Sequence, residues 1–413
     1  MPQEDFFDLY RNYTKGQESP EQFHYWTAVA IVGSILGRSV WIDRGYYQLF
    51  PNHYVILVSK SALARKSTSF AKIGIPRIMD TALKLMDSAG LAGGMPKIIA
   101  HKMTPESLCQ ELVLREKHAP TQTNMERPIP NPCLLYASEL GVFMSKSAQM
   151  SGLTDILMDI YDCQAEWRNR TKTSGVDFLY NLAPSLISAT TPDWISGNVT
   201  GSLFNQGLVG RTIFVYSDKA QMRIAHPIMD DSKRELEKRL IEKLQRISYL
   251  YGAFSWTPSA YRYFEEWYND RPEPTDDSGE SGFWGREHEH VLKLAMVMAA
   301  VNRERLRVYK SDIIRAIERV GTVRASLVST FKEVAYAHED AELKYVEGVL
   351  KEEGTILRSP LLRKVYRRMN QAKLDECLTS LKNAGIIKLS EGKKPKRGPT
   401  PITYIWINKP SSP

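Results

Sequence analysis

Tyr54-Val55-Ile56-Leu57-Val58 runs directly into Ser59-Lys60-Ser61-Ala62-Leu63-Ala64-Arg65-Lys66-Ser67-Thr68. The first five residues are a compact apolar run, the pattern of a strand buried on both faces of a parallel sheet. A polar loop follows, and from Ser67 to Ala89 the pattern is helical. In a strand–loop–helix with Lys-Ser at the helix start, backbone N–H groups and the helix N-terminus can hold phosphate. The lysine then reaches the β and γ oxygens and the hydroxyl ligates Mg²⁺. Measured against G-x-x-x-x-G-K-[ST], Lys66 and Ser67 match, but the two glycine positions are Lys60 and Arg65. On this stretch alone, a polar surface loop that happens to contain Lys-Ser-Thr explains the sequence as well as a nucleotide site does.

Further along, the apolar run Cys133–Ala137 ends in Ser138-Glu139. A strand that delivers an acid at its carboxyl end can polarise an attacking water in an ATPase. The usual Asp-Glu pair is Ser-Glu here, so Glu139 would act without a neighbouring aspartate. Ser185–Ala189 leads into Thr190-Thr191, hydroxyls placed to sense a γ-phosphate, and Gly210-Arg211 stands just before the apolar run Thr212–Tyr216. Each has an ordinary structural alternative: a helix-capping glutamate, a turn-forming threonine, a surface arginine. Strands separated by helical segments predict an α/β fold with a mainly parallel sheet. Thr104-Pro105 opens TPESLCQELV in the manner of an N-capped helix. Trp167–Gly175 reads as a polar, basic stretch, and from Asp231 to Ala335 the pattern is helical, broken at Arg271–Gly282.

The chain has 413 residues, enough for two or three domains with full cores. No apolar run approaches the roughly 20 residues of a membrane helix, so no membrane partner is expected. Cys109, Cys133, Cys163 and Cys377 are far apart, which favours neither a disulfide framework nor a zinc site. His288 and His290 are spaced i, i+2 and cannot share a helix face, which argues against a metal there. The net charge of +8 points to a polyanionic partner, and its distribution says more than its size. Between Arg358 and Arg397 there are twelve Lys/Arg and three acids. That region shows helical periodicity over Ala341–Glu353, Ser359–Arg368 and Gln371–Ala384. Ile386–Leu389, a basic turn and Ile402–Ile407 then complete a winged-helix order. The helix Gln371–Ala384 would enter a duplex major groove, with Lys393, Lys394, Lys396 and Arg397 on the wing meeting phosphates. Winged helices also serve protein contacts.

The order of these pieces resembles the ATPase module of phage and mobile-element replication proteins, the primase–helicase-like family of P-loop ATPases. The matching stretches lie between about Phe6 and Ala300: PEQFHYWTAVAIVGSILGRSVWID, YVILVSKSALARKST, TPESL, CLLYASELGVF, LMDIYDCQAEWRNRTKTSG, LISATTPDWI, GLVGRTIFVY and EHVLKLAM. The resemblance implies a RecA/AAA+-like core over 51–225 with a helical segment at 1–50, a helical lid at 226–335 and the winged helix at 340–413. It implies ATP and Mg²⁺ as ligands, with Ala64, Arg65, Lys66, Ser67 and Thr68 around the phosphates and Ser67 on the metal. Glu139 would support hydrolysis, Thr190 or Thr191 would be the sensor, and Arg211 would complete a neighbouring subunit's site. Arg168, Arg170 and Lys172 would grip single-stranded DNA in the pore of a homo-oligomeric ring such as a hexamer. By analogy with ring helicases, Lys293 would be a lid residue touching nucleotide, though an exposed helix lysine is the simpler expectation. The protein would work in the cytoplasm of a bacterial host, beside a primase or other replication proteins. Two functions follow: an ATP-driven DNA helicase or translocase, or a non-motor initiation or helicase-loading protein with a degenerate nucleotide site.

Overall fold

A computed structural model describes residues 5–61, 63–90, 95–100, 102–113, 130–145, 152–171, 175–198, 207–273, 279–391 and 402–407. The chain divides into two compact units, Met1–Phe331 and Lys332–Pro413.

The first unit is built on five strands: β1 (Tyr54–Val58), β2 (Lys97–Ala100), β3 (Asn131–Ala137), β4 (Leu182–Thr190) and β5 (Thr212–Tyr216). They pair in the order β2-β3-β4-β1-β5, every pair parallel. All five residues of β1 and all nine of β4 are buried; β1 is accordingly a continuous apolar run, while β4 carries only small hydroxyl residues, Ser185, Ser188 and Thr190, among its apolar ones. The register sets Val58 level with Thr190 and Tyr216, and Ala137 level with Ser188. The carboxyl ends of β3, β4 and β1 therefore open on one edge of the sheet.

The Glu21–Leu36 helix packs across β1, β3, β4 and β5. Its apolar residues occur all round and thirteen of its sixteen are buried, as a helix enclosed on every side requires. Gly33 admits the chain just ahead of β1, since a Cβ there would lie 2.4 Å from the Pro51 carbonyl oxygen. The chain after the Lys66-Ser67 pair winds as a π-helix over Thr68–Met79, then as an α-helix over Asp80–Ser88. Widened helical turns are frequent at functional sites. Gly74 lets this segment lie against Glu21–Leu36, because a Cβ would meet Thr27 Cγ2 at 2.5 Å. Arg77 ties it to the Asp231–Ser248 helix through the Glu237 carboxylate.

The basic stretch after Cys163 is an antiparallel hairpin, Glu166–Thr171 against Gly175–Tyr180. Short parallel pairs also join Val40–Asp43 to Gly252–Ala253 and Ser255–Trp256 to Arg307–Val308. Pairs of two residues leave no periodicity to detect.

The second unit has its own core of Val346, Leu350, Leu361, Val365, Leu374 and Leu378, among others. Helices Arg358–Val365 and Gln371–Asn383 follow the end of a helix that begins at Lys310 and closes at Glu353. Ile387–Glu391 and Ile402–Trp406 form the expected antiparallel pair, and Thr355–Leu357 adds a third strand on the Ile402–Trp406 side. No helix among the described residues is long and apolar enough to cross a membrane.

Candidate functional site

The loop that leaves β1 holds the decisive geometry. Arg65 has φ +47°, a left-handed backbone that costs a non-glycine residue about 1–2 kcal/mol. This is the second glycine position of the phosphate-loop pattern. Lys60, at the first, has no positive φ. The chain thus keeps the turn that glycine would serve at position 65 and stabilises it from outside. The Arg65 guanidinium pairs with Glu18 at 2.9 Å, the Ser19 hydroxyl donates to the Arg65 carbonyl at 2.9 Å, and Thr68 N–H donates to the same oxygen at 3.0 Å. Glu18 also accepts from the Ile224 N–H at 3.3 Å, which draws the segment after β5 to the loop. These contacts fix a conformation that the pattern with two missing glycines does not suggest.

Lys66 follows at the start of the helix, buried at 7% exposure. Its ammonium donates to the Ser59 carbonyl at 2.6 Å and to that of Lys60 at 3.3 Å, folding back over the loop it leaves. Burial lowers its pKa, and the negative charge of Glu139 opposes that shift. Ala64 is fully buried beneath the loop, while Ser67 and Thr68 are half-buried at its mouth. Ser67 makes no side-chain capping bond. A helix start with a lysine and a hydroxyl that makes no capping bond suits an oxyanion with a bound divalent cation.

Glu139 stands two residues beyond Ala137, the last residue of β3, which is level with Ser188, and it is close enough to Lys66 for its charge to act on the ammonium. Thr190 is level with Val58, and its carbonyl accepts from the Ser59 N–H at 3.3 Å. The loop, Thr190 and the acid thus lie at the carboxyl ends of three neighbouring strands, with β4 between the other two. Glu139 is exposed and precedes the short Leu140–Phe143 helix without capping it. The two threonines differ. Thr190 is buried in β4, whereas the Thr191 hydroxyl accepts from Trp194 N–H at 3.2 Å and starts the next helix.

Arg211 lies on the opposite edge of the sheet. It precedes Thr212, which pairs with Tyr54 at the amino end of β1. Five residues of strand, about 16 Å, separate it from the Ser59–Lys66 loop of its own chain. Its guanidinium pairs with Asp162 at 3.0 Å and donates to the Gly207 carbonyl at 3.2 Å, while Arg286 takes the other oxygen of Asp162 at 3.1 Å. Nε of Arg211 is buried without a partner.

Lys293 is neither exposed nor near the loop, contrary to both expectations for it. It is 2% exposed, donates to Asn52 Oδ1 at 2.8 Å and lies 3.8 Å from the Tyr161 ring centre. Asn52 precedes β1, so this lysine belongs to the amino-end edge. Burial brings its pKa from 10.5 down to about 8, opposed by the acidic groups of Cys163, Glu289 and Asp162. The folded chain therefore carries a penalty that is full below the folded pKa of about 8 and disappears by 10.5, the unfolded value. At 1.36 kcal/mol per unit the penalty is about 3 kcal/mol. Wild-type unfolding free energy, minus that of Lys293→Met, should rise by that order across this window. Parallel pH curves for the two proteins would contradict the assignment.

In the hairpin, Arg168 is exposed, pairs with Glu166 and lies 5.3 Å over the ring of its cross-strand neighbour Phe178. Phe178 is 39% exposed and stacks on Tyr180 at 6.4 Å. Sequence reading found the arginines and missed Phe178, whose signal is an apolar aromatic opposite a cation in strand register. Arg170 belongs to the same strand. Lys172, Lys393, Lys394, Lys396 and Arg397 lie outside the described residues. Among the described residues no group of three His, Cys, Asp or Glu side chains could hold a metal ion.

No protein-family model matches this chain, and no curated protein matches it in sequence.

Proposed function

We propose that this protein is a P-loop ATPase of the RecA/AAA+ type that moves on DNA as a ring-shaped homo-oligomer, in the replication of a phage or mobile element. The left-handed Arg65 carries this reading. Among the described residues Cys163, Asn181 and Glu304 also have positive φ, but Arg65 is the one that stands at a glycine position of the phosphate-loop pattern, immediately before a buried lysine at a helix start. Lys66 would exchange the Ser59 carbonyl for phosphate oxygens, and the N–H groups of the first helical turn would receive the remainder. Ser67 would hold Mg²⁺, which when bound neutralises charge on the β and γ oxygens. Glu139 would orient and deprotonate water across the gap spanned by β4, and Thr190 would sit beneath the terminal phosphate. Arg211, facing away from its own loop, would serve the loop of the next subunit. The hairpin would grip a single strand through Arg168 and Phe178, combining phosphate attraction with stacking. The second unit is read as a winged-helix DNA-binding module. Cytoplasmic location and a primase partner belong to the same proposal.

A second reading, a DNA-binding initiation or loading protein with a nucleotide switch, is favoured by the lone acid at Glu139. Turnover separates the two. ATP hydrolysis measured with and without single-stranded DNA should rise several-fold on DNA addition. That ratio should fall in Arg168→Ala and in Phe178→Leu. Nucleotide binding without turnover, with or without DNA, would instead support the switch.

A further inference from the structure

The segment Arg358–Leu374 of the second unit contains six Lys/Arg and no acid. Three of the six are spent within the unit: Arg358 on Asp375 at 2.5 Å, Lys364 on Glu353 at 2.6 Å and Lys373 on Glu376 at 3.0 Å. Arg363, Arg367 and Arg368 are exposed, and none is in an ion pair with a carboxylate among the described residues. A cation in the last turn of a helix complements its macrodipole, which accounts for Arg363 in Arg358–Val365. That does not account for Arg367 and Arg368, which lie beyond it. Between these cations stands Tyr366, 62% exposed. Arg367 donates to its hydroxyl at 3.1 Å, and Arg368 lies 4.3 Å over the ring of Tyr345.

The helix Gln371–Asn383, in contrast, turns few cations outward. Its exposed positions include Gln371, Ala372, Glu376, Thr379 and Ser380; Lys373 pairs with Glu376 at 3.0 Å, and the exposed Lys382 lies in the last turn, away from the helix start that would enter a groove. An outward face with a carboxylate and small hydroxyls is a poor element for a phosphate-lined major groove.

We propose that the nucleic-acid contact of this unit is the turn 363–370, that its ligand is an unpaired strand, and that Tyr366 stacks on a base while Arg363, Arg367 and Arg368 meet phosphates. The inference rests on the reading of this unit as a DNA-binding module and departs from that reading in the form of DNA it selects. An exposed ring flanked by cations is the arrangement that holds single strands without regard to sequence, because every base offers a face to stack on. A duplex keeps its bases stacked on each other and offers Tyr366 nothing comparable.

The test uses the full chain and fluorescence anisotropy across a salt series, with three probes: an oligothymidine strand, an abasic strand of equal length and a blunt duplex. Replacing Arg363, Arg367 and Arg368 by alanine should weaken both single strands and reduce the salt slope by about 2, three phosphates at roughly 0.7 each. Tyr366→Leu should lower oligothymidine affinity about tenfold while leaving the salt slope and the abasic strand unchanged. Tyr366→Phe should retain the wild-type affinity. Equal effects of Tyr366→Leu on oligothymidine and abasic strands, or none on either, would overturn the stacking role. Tighter wild-type binding to duplex than to oligothymidine would overturn the choice of ligand. Wild-type protein that binds none of the three probes would overturn the DNA-binding reading beneath it. Tyr366 is outside the core of the unit, so these variants report on binding and not on folding.

Discussion

Lys66→Ala should abolish ATP hydrolysis and weaken nucleotide binding by about ten- to a hundred-fold. A charge-assisted hydrogen bond to phosphate is worth roughly 1.5–3 kcal/mol, and no second cation follows Lys66 within the first helical turn. The fold should survive the change, since what the ammonium loses in the free protein is its bonds to the Ser59 and Lys60 carbonyls at the loop. Arg65 supplies a contrasting pair. Arg65→Gly removes the left-handed strain and also the Glu18 contact, whereas Arg65→Ala keeps the strain and loses the contact that offsets it. Alanine should therefore be the more damaging of the two, by about 1 kcal/mol in stability and correspondingly in nucleotide affinity. Titration of nucleotide against each variant, with thermal unfolding alongside, checks both expectations. An unchanged affinity and turnover in Lys66→Ala would remove the phosphate-loop assignment.

Arg211→Ala should leave nucleotide binding nearly intact and lower turnover by a factor of about 10³ or more, the usual contribution of an arginine that stabilises transition-state charge. The expectation rests on the proposed ring and on placement: Arg211 is on the amino edge of the sheet and Lys66 on the carboxyl edge, so within one chain the two are far apart. Mixing Arg211→Ala with Lys66→Ala protein should restore part of the activity, because some interfaces then pair an intact loop with an intact arginine. Arg211 also pairs with Asp162, which would keep Arg286 as a partner, so thermal unfolding must show that the variant folds. Absence of rescue in mixed oligomers shown to form would exclude action on a neighbour.

Much of the sheet was legible because its strands are apolar on both faces. Tyr54–Val58 was read with its observed bounds, and Thr212–Tyr216 likewise. The cap at Thr104 was legible for a local reason: its hydroxyl accepts from Ser107 N–H at 3.2 Å, three residues on. What escaped was set by distant chain. The conformation of Arg65 depends on Glu18 and Ser19, more than forty residues earlier, and no local pattern reports that. Lys293 followed the same logic in reverse. Its sequence neighbourhood, HVLKLAM, suggests an outward lysine on an apolar helix, yet Asn52 and Tyr161 give it a polar niche inside. Strand order was also beyond the sequence, and the order places β4, with Thr190, between the loop strand and the acid strand.

The central claim is that the strained loop of Arg65 and Lys66 holds the phosphates of a nucleotide. Calorimetric titration of the full chain with ATP, in the presence and absence of Mg²⁺, measures this directly. Saturable binding that strengthens with Mg²⁺ and is lost in Lys66→Ala is the result expected. No heat of binding at millimolar ATP, or binding equally tight in Lys66→Ala, would contradict it.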